Sequence, residues 1–212
     1  MTNDSMVDQL VADGRLKTER IIAAWRAIDR ARFVPPDEQA AAYENRPLPI
    51  GFGQTISQPL TVAIMLEALQ PRTGERVLDI GAGSGWVTAL LATIVGPGGS
   101  VVAIERIPQL ARKAKQNLIS FSLAHVELKT ADGSRGWPSQ GPYDIIHVAA
   151  AAPATPAGLK QQLRIGGRLI IPVGQHVQDL VLIERTNEQR YSEKRFPGFQ
   201  FVPLIASSPS PS

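Results

Sequence analysis

Apolar residues change their spacing along the chain, and each change predicts a different kind of element. Near the N-terminus Met6, Val7, Leu10 and Val11 fall on one helical face, with Ser5 and Asp8 as a capping pair. A second helix is expected over 18–31, where Ile21, Trp25 and Ile28 form a buried stripe, and Pro35 and Pro36 end it. Residues 43–57 show no clear period. Pro47, Pro49, Gly51 and Gly53 make this segment loop-like, while its apolar residues pack it on the body. Long ordered loops more often carry function than serve as spacers. The run Leu60, Val62, Ala63, Met65, Leu66 and Leu69 then predicts a helix opened by Pro59 and capped by Ser57.

From Gly74 onward short apolar runs alternate with helical spacing. Strands are expected at 76–80, 101–104, 126–128, 143–148, 168–173, 180–183 and 199–204. Helices are expected at 86–95 and 108–118 and around 158–163. Alternation at this pitch, with strands apolar throughout, predicts an α/β fold: a doubly wound, mostly parallel sheet with helices on both faces and an N-terminal helical extension. The expected organisation is a single domain over 1–206, the extension covering 1–57. The Ser- and Pro-rich residues 207–212 form a tail too poor in apolar surface to order.

Composition narrows the chemistry. The 212 residues contain no cysteine, which excludes a disulfide framework, a thiolate metal site and a cysteine nucleophile. The three histidines, His125, His147 and His176, are scattered, so no metal is expected. A net charge of +3 without a dense basic block gives no reason to expect nucleic acid. No window reads as a signal peptide or a membrane span, so the expected location is cytoplasmic, with no membrane partner.

The strongest local signal is Asp79-Ile80-Gly81-Ala82-Gly83-Ser84-Gly85, between a strand and a helix. Glycine lets backbone N–H groups approach a ligand there. A dinucleotide loop needs a third glycine where Trp86 stands, and that side chain would block helix–strand packing. The spacing instead resembles the S-adenosylmethionine loop of class I methyltransferases. Asp79 is then expected to hold the cofactor ammonium, and the N–H groups of Gly81, Ala82, Gly83, Ser84 and Gly85 to approach its carboxylate or sugar. Glu105, closing the second strand of the sheet, suits the ribose hydroxyls, and Asp132-Gly133 would flank adenine. A tight structural turn remains the simplest alternative for the glycines, as does a surface acid for Glu105.

The segment ahead of this loop speaks to substrate. Leu48-Pro49-Ile50-Gly51-Phe52-Gly53-Gln54-Thr55-Ile56-Ser57-Gln58-Pro59 resembles the signature of protein-L-isoaspartate O-methyltransferases. The resemblance continues in order through Arg32-Phe33-Val34-Pro35, the glycine loop, Asp132-Gly133-Ser134-Arg135-Gly136-Trp137-Pro138 and Phe201-Val202-Pro203-Leu204-Ile205, nearly the whole chain. Two departures stand out. Asn45 replaces the family's usual aspartate, and the stretch 13–18 is more polar than the usual Arg-Gly-Ile form. Either could alter the packing of the substrate loop.

The resemblance implies methyl transfer from S-adenosyl-L-methionine to the free α-carboxylate of isoaspartyl residues, with D-aspartyl as a further acceptor and S-adenosyl-L-homocysteine as product. The ester recyclises to a succinimide, which begins repair. Ser57 is the implied catalytic serine, a hydrogen-bond donor rather than a covalent nucleophile. Gln54, Thr55, Ile56 and Gln58 would form one wall of a peptide site, with Val202 and Pro203 opposite. Gln178 would lie near the cofactor, and Trp86 and Trp137 either border the site or pack. Damaged proteins are the implied partners, bound transiently by a monomer. Rival readings are a methyltransferase for another carboxylate or small molecule, a scaffold that has lost turnover and, more remotely, a dehydrogenase.

Overall fold

A computed structural model describes residues 1–205. The chain opens with α1 (Asn3–Ala12) and α2 (Glu19–Ala27), then two 3-10 turns, and a hairpin of β1 (Leu48–Gly51) and β2 (Gln54–Ile56). After α3 (Pro59–Leu69) come β3 (Arg76–Ile80), α4 (Trp86–Val95), β4 (Ser100–Glu105), α5 (Pro108–Ile119) and β5 (Val126–Thr130). Then follow β6 (Tyr143–Val148), α6 (Ala157–Gln161), β7 (Leu163–Val173), β8 (Gln178–Arg185) and β9 (Tyr191–Phe199). Seven strands form one sheet in the order β5-β4-β3-β6-β7-β8-β9. Pairing is parallel from β5 to β7 and antiparallel from β7 to β9.

The chain steps outward from β3 to β4 and β5, then returns to place β6 on the other side of β3. This reversal opens a crevice beyond the carboxyl ends of β3 and β6, where open α/β sheets bind ligands. Helices cover the two faces unequally. Along β3, Val77 joins a large cluster with α1 to α5, while Leu78 and Ile80 join a smaller one. That second face is covered by Leu159 of α6 and by loop residues such as Trp137. Met6, Val7, Ile21 and Trp25 of the N-terminal extension belong to the larger cluster, so α1 and α2 share the core of the sheet.

Several boundaries differ from the sequence expectation. The first helix is capped by Thr2, whose hydroxyl accepts from Ser5 N while Ser5 Oγ accepts from Thr2 N; Asp8 takes no part in the cap. The second helix stops at Ala27 because Ile28 is extended, and Asp29 caps a separate 3-10 turn over Arg30–Phe33. Part of the loop-like 43–57 segment is the β1–β2 hairpin. Ser57 does not cap α3: the cap position is Gln58, whose Oε1 accepts from the Thr61 hydroxyl but from no backbone N–H of the helix. Asn45 does that work from a distance, its Oδ1 accepting Leu60 N at 3.0 Å. The last strand is 191–199, not 199–204. Its solvent-facing Glu193, Lys194 and Arg195 hide an edge strand from any apolar pattern. Residues 207–212 lie outside the described residues.

Candidate active site

A cavity of about 930 Å³ occupies the crevice. Its sheet side is the loop after β3. Gly81, Gly83 and Gly85 take φ of 85°, 55° and 90°, the left-handed region that a side chain resists. Gly81, Ala82, Gly83 and Ser84 line the cavity. Gly85 does not, contrary to expectation: it begins α4, and a Cβ there would sit 3.4 Å from Ala114 and Leu118 of α5. Its role is to turn the chain under a packed helix.

Asp79 also departs from its expected place. Its carboxylate is 1% exposed and does not line the cavity. Oδ2 accepts from Thr88 Oγ1 at 2.5 Å, and Oδ1 accepts from His147 Nδ1 at 2.8 Å. These bonds tie β3 to α4 and β6 beside the glycine loop. Glu105 does line the cavity, and each oxygen already accepts one backbone N–H: Gly83 N and Ile107 N, both at 2.9 Å. A carboxylate oxygen has room for a second donor, so Glu105 shapes the loop and still offers acceptors to a ligand. Asp132 and Gly133 line the same side, and Asp132 Oδ1 holds Ser134 N at 2.8 Å. A Cβ on Gly133 would meet Ile80 at 2.7 Å, so that turn requires glycine.

The opposite wall is the β1–β2 hairpin with the segment that follows. Gln54, Thr55, Ile56, Ser57 and Gln58 all line the cavity. The hairpin rests on the glycine loop, since a Cβ at Gly83 would lie 3.3 Å from Ile50 Cδ1. The Ser57 hydroxyl makes no hydrogen bond to a described residue, whereas its carbonyl accepts from Arg30 Nη2 at 3.0 Å. Arg30, absent from the sequence expectations, is fully buried. It also donates to the carbonyls of Ala42 and Arg46, and its guanidinium lies 5.2 Å from the centre of the Trp86 ring. With no carboxylate partner among the described residues, its pKa is lowered to about 10, by burial and then by Arg46. Nothing in the spacing around Arg30 separates it from a surface arginine. Trp86 lines the cavity and packs edge-on against Trp25 at 5.1 Å, whereas Trp137 packs on the far face of the sheet.

The third wall is the strap after β9. Val202 and Pro203 line the cavity as expected. The strap is held by Ala151 N to Val202 O at 2.8 Å and Leu204 N to Ala151 O at 2.7 Å. Gln178 is not at the cavity. It is buried, and its Oε1 accepts Phe201 N at 2.7 Å, pinning the strap from below. Phe52 at the hairpin tip also lines the cavity, 57% exposed, with φ of 56°. A bulky residue there is a conformational outlier, of the kind that gathers at functional sites.

The donor set fits a nucleoside-bearing cofactor. It offers glycine N–H groups, a paired acid at the end of β4 and a second acid after β5. No histidine lines the cavity among the described residues.

A family model described as protein-L-isoaspartate(D-aspartate) O-methyltransferase matches residues 1–208. A protein-L-isoaspartate O-methyltransferase of Aeropyrum pernix is 50% identical, over 94% of this chain and 78% of its own. That of Methanopyrus kandleri is 44% identical, over 95% of this chain and 90% of its own. Among solved structures, a Plasmodium falciparum protein assigned to the same activity, in complex with S-adenosyl-L-homocysteine, superposes with a TM-score of 0.86. It is 24% identical and covers 97% of this chain and 99% of its own. At that identity it speaks to the fold.

Proposed function

The chain belongs to the protein-L-isoaspartate(D-aspartate) O-methyltransferase family, and from that premise we propose how its cleft performs the reaction. The protein transfers a methyl group from S-adenosyl-L-methionine to the free α-carboxylate of L-isoaspartyl residues in damaged proteins and peptides. The ester then closes to a succinimide, which starts repair. D-aspartyl residues are a second acceptor class.

The observation that carries the site assignment is the position of Ser57. It lines a cavity shared with Gly81–Ser84 and with the strap Val202-Pro203, and its hydroxyl has no partner among the described residues. A carboxylate acceptor, with an ordinary pKa near ~4, is already ionised at neutral pH. The chain therefore has to align and desolvate that anion rather than deprotonate it. Ser57 donates to one carboxylate oxygen and fixes its direction. Arg30 holds the Ser57 carbonyl and so fixes the serine backbone. When bound, S-adenosylmethionine supplies a methyl on a positively charged sulfur, so transfer neutralises cofactor and acceptor together.

For that cofactor, Gly81 to Ser84 would offer backbone donors, Glu105 acceptors for the ribose hydroxyls, and Asp132-Gly133 a border to the adenine. Gln54, Thr55, Ile56 and Gln58 would line the peptide's path. Opposite them, Val202 N–H and the Pro203 carbonyl have no partner among the described residues. Those groups suit recognition of substrate backbone, which leaves side-chain sequence largely free. The protein acts as a cytoplasmic monomer on transient protein partners. Among the described residues no helix is long and apolar enough to cross a membrane.

The test pairs an isoaspartyl peptide with its aspartyl twin in the presence of labelled cofactor. Base-labile label on the isoaspartyl peptide alone is expected. Ser57→Ala should bind S-adenosyl-L-homocysteine as wild type yet lose about ten- to a hundredfold in kcat, the worth of a hydrogen bond to a charged group. Unchanged turnover would remove Ser57 from the chemistry.

A further inference from the structure

The cleft carries its fixed charges unevenly. Glu105, Arg106 and Asp132 stand at the ends of β4 and β5, on the half assigned to the cofactor. On the other half the wall of Gln54, Thr55, Ser57 and Gln58 is uncharged, and the charged side chain there is Arg15. Its location follows from its neighbours. Lys17 N and Thr18 N donate to Glu67 Oε1 of α3 at 2.7 and 2.9 Å. Leu60 and Ile64 of α3 line the cavity, and α3 packs over β7 and β8, away from β4 and β5. Arg15 therefore flanks the peptide half, beside the helix that begins just after Ser57.

Other arginines of the N-terminal region are committed. Arg26 pairs with Asp4 and Asp8, Arg46 with Glu44, and Arg20 bonds Gln70 and the Pro71 carbonyl. Arg15 is exposed and makes no side-chain bond to a described residue, while Leu16 beside it is buried and Glu67 clamps the next turn of chain. It is an exposed cation, unpaired among the described residues, on a fixed base within the polar 13–18 stretch.

We infer that Arg15 is a specificity-determining residue that favours substrates with an acidic side chain, or a chain-terminal carboxylate, close to the isoaspartyl residue. The inference rests on the peptide-half reading of the cleft given above. An exposed ion pair contributes modestly and weakens with salt, so the preference expected is about two- to fivefold per charge.

The test uses isoaspartyl peptides that differ only in Glu, Gln or Lys at one neighbouring position, placed in turn on either side. With wild-type enzyme kcat/KM should fall from Glu to Gln to Lys on at least one side. The difference should lie in KM and shrink in about 0.5 M salt. Arg15→Gln should flatten the series and Arg15→Glu should reverse it. A flat wild-type series overturns the inference, as does a series unchanged in Arg15→Gln. So does an equal loss on every peptide, which would place Arg15 on the acceptor carboxylate itself or in the loop's folding. Titration with S-adenosyl-L-homocysteine verifies that each variant is folded. Failure of the broader reading looks different: the Gln-flanked isoaspartyl peptide would then be methylated no better than its aspartyl twin.

Discussion

Replacing Asp79 by alanine removes an acceptor shared by two donors in the core. Thr88 Oγ1 and His147 Nδ1 both reach it, and Asp79 and His147 are each 1% exposed. Thr88 lies in the first turn of α4, so its hydroxyl can rotate toward a preceding backbone carbonyl, as helical threonines do. His147 has no such recourse, because its Nε2 is already buried without a partner. A buried donor left unsatisfied costs about 1–3 kcal/mol, and the lost bonds to a charged group add to it. The expected loss is therefore about 2–4 kcal/mol, a sizeable share of the ~5–15 kcal/mol typical of a folded domain. At ~2–4 °C per kcal/mol for a chain of this length, Tm should fall by roughly 4–16 °C.

Thr88→Val, which leaves the His147 bond in place, should cost about 1–3 kcal/mol. Urea unfolding followed by circular dichroism measures both variants, and calorimetric titration with S-adenosyl-L-homocysteine measures the cleft. Because Asp79 does not line the cavity, Thr88→Val should bind within about threefold of wild type, a change below ~0.7 kcal/mol. Asp79→Asn supplies the refutation. Its amide keeps an acceptor for His147 but removes the charge. If it unfolded like wild type and bound more than about tenfold more weakly, the carboxylate would be serving the cofactor ammonium, and the structural account of Asp79 would be wrong.

Arg30→Met should leave three carbonyls without their donor and cost at least ~3 kcal/mol by chemical denaturation, with Arg30→Lys recovering only part, since an ammonium lacks the fixed fork. Glu67 is raised by burial, but bonds from Lys17 N, Thr18 N, Thr18 Oγ1 and Gln70 outweigh that and hold its pKa below the ordinary 4.5. Its stabilisation is thus complete above that value and is lost as pH falls through the lower folded value. Hydrogen exchange at 13–18 should accelerate there in wild type, and Glu67→Gln should flatten that pH dependence. Asn45→Asp, which puts a carboxylate against Leu60 N at the start of α3, should raise stability by about 0.3–1 kcal/mol in low salt. Phe52→Asn, more at ease in the left-handed region, should raise Tm slightly and raise KM for peptide; an unchanged KM would take Phe52 out of substrate contact.

Parallel strands were readable because burial on both faces writes a continuous apolar run: 76–80 and 143–148 match β3 and β6 to the residue. The edge strand β9 was not, because side chains on both of its faces are exposed over 192–195 and its sequence is charged. The hairpin escaped for another reason. Its turn passes through Gly51, Phe52 and Gly53, all with positive φ, in a segment too short and proline-rich to show alternation. Within the site, the family resemblance placed Ser57 at the cavity, and spacing placed Glu105 and the glycine loop there. It could not tell an acid aimed at a ligand from one aimed at a histidine 68 positions away, because Asp79 owes its partner to the parallel register of β3 with β6. Gln178 was misplaced for the same kind of reason, its partner Phe201 lying across the end of the sheet.

Those long-range bonds bear on how the cleft works as well as on how it folds. Each wall of the cavity is braced from behind by a buried polar side chain. Asp79 braces the strand that leads into the glycine loop, Arg30 holds the serine wall through the carbonyls of Ala42, Arg46 and Ser57, and Gln178 holds the strap through Phe201 N. A loop tied to one point through its backbone can be rigid there and still leave its side chains free, which is the state of Ser57. The arrangement leaves Gln54, Thr55, Ser57 and Gln58 an uncharged wall, with Arg15 at its flank. It also means that variants of the three braces should lose stability and kcat together, whereas those of the groups facing the cavity should lose only function. Arg30→Lys against Ser57→Ala makes the sharpest pair, because both act on one residue, from behind and from in front.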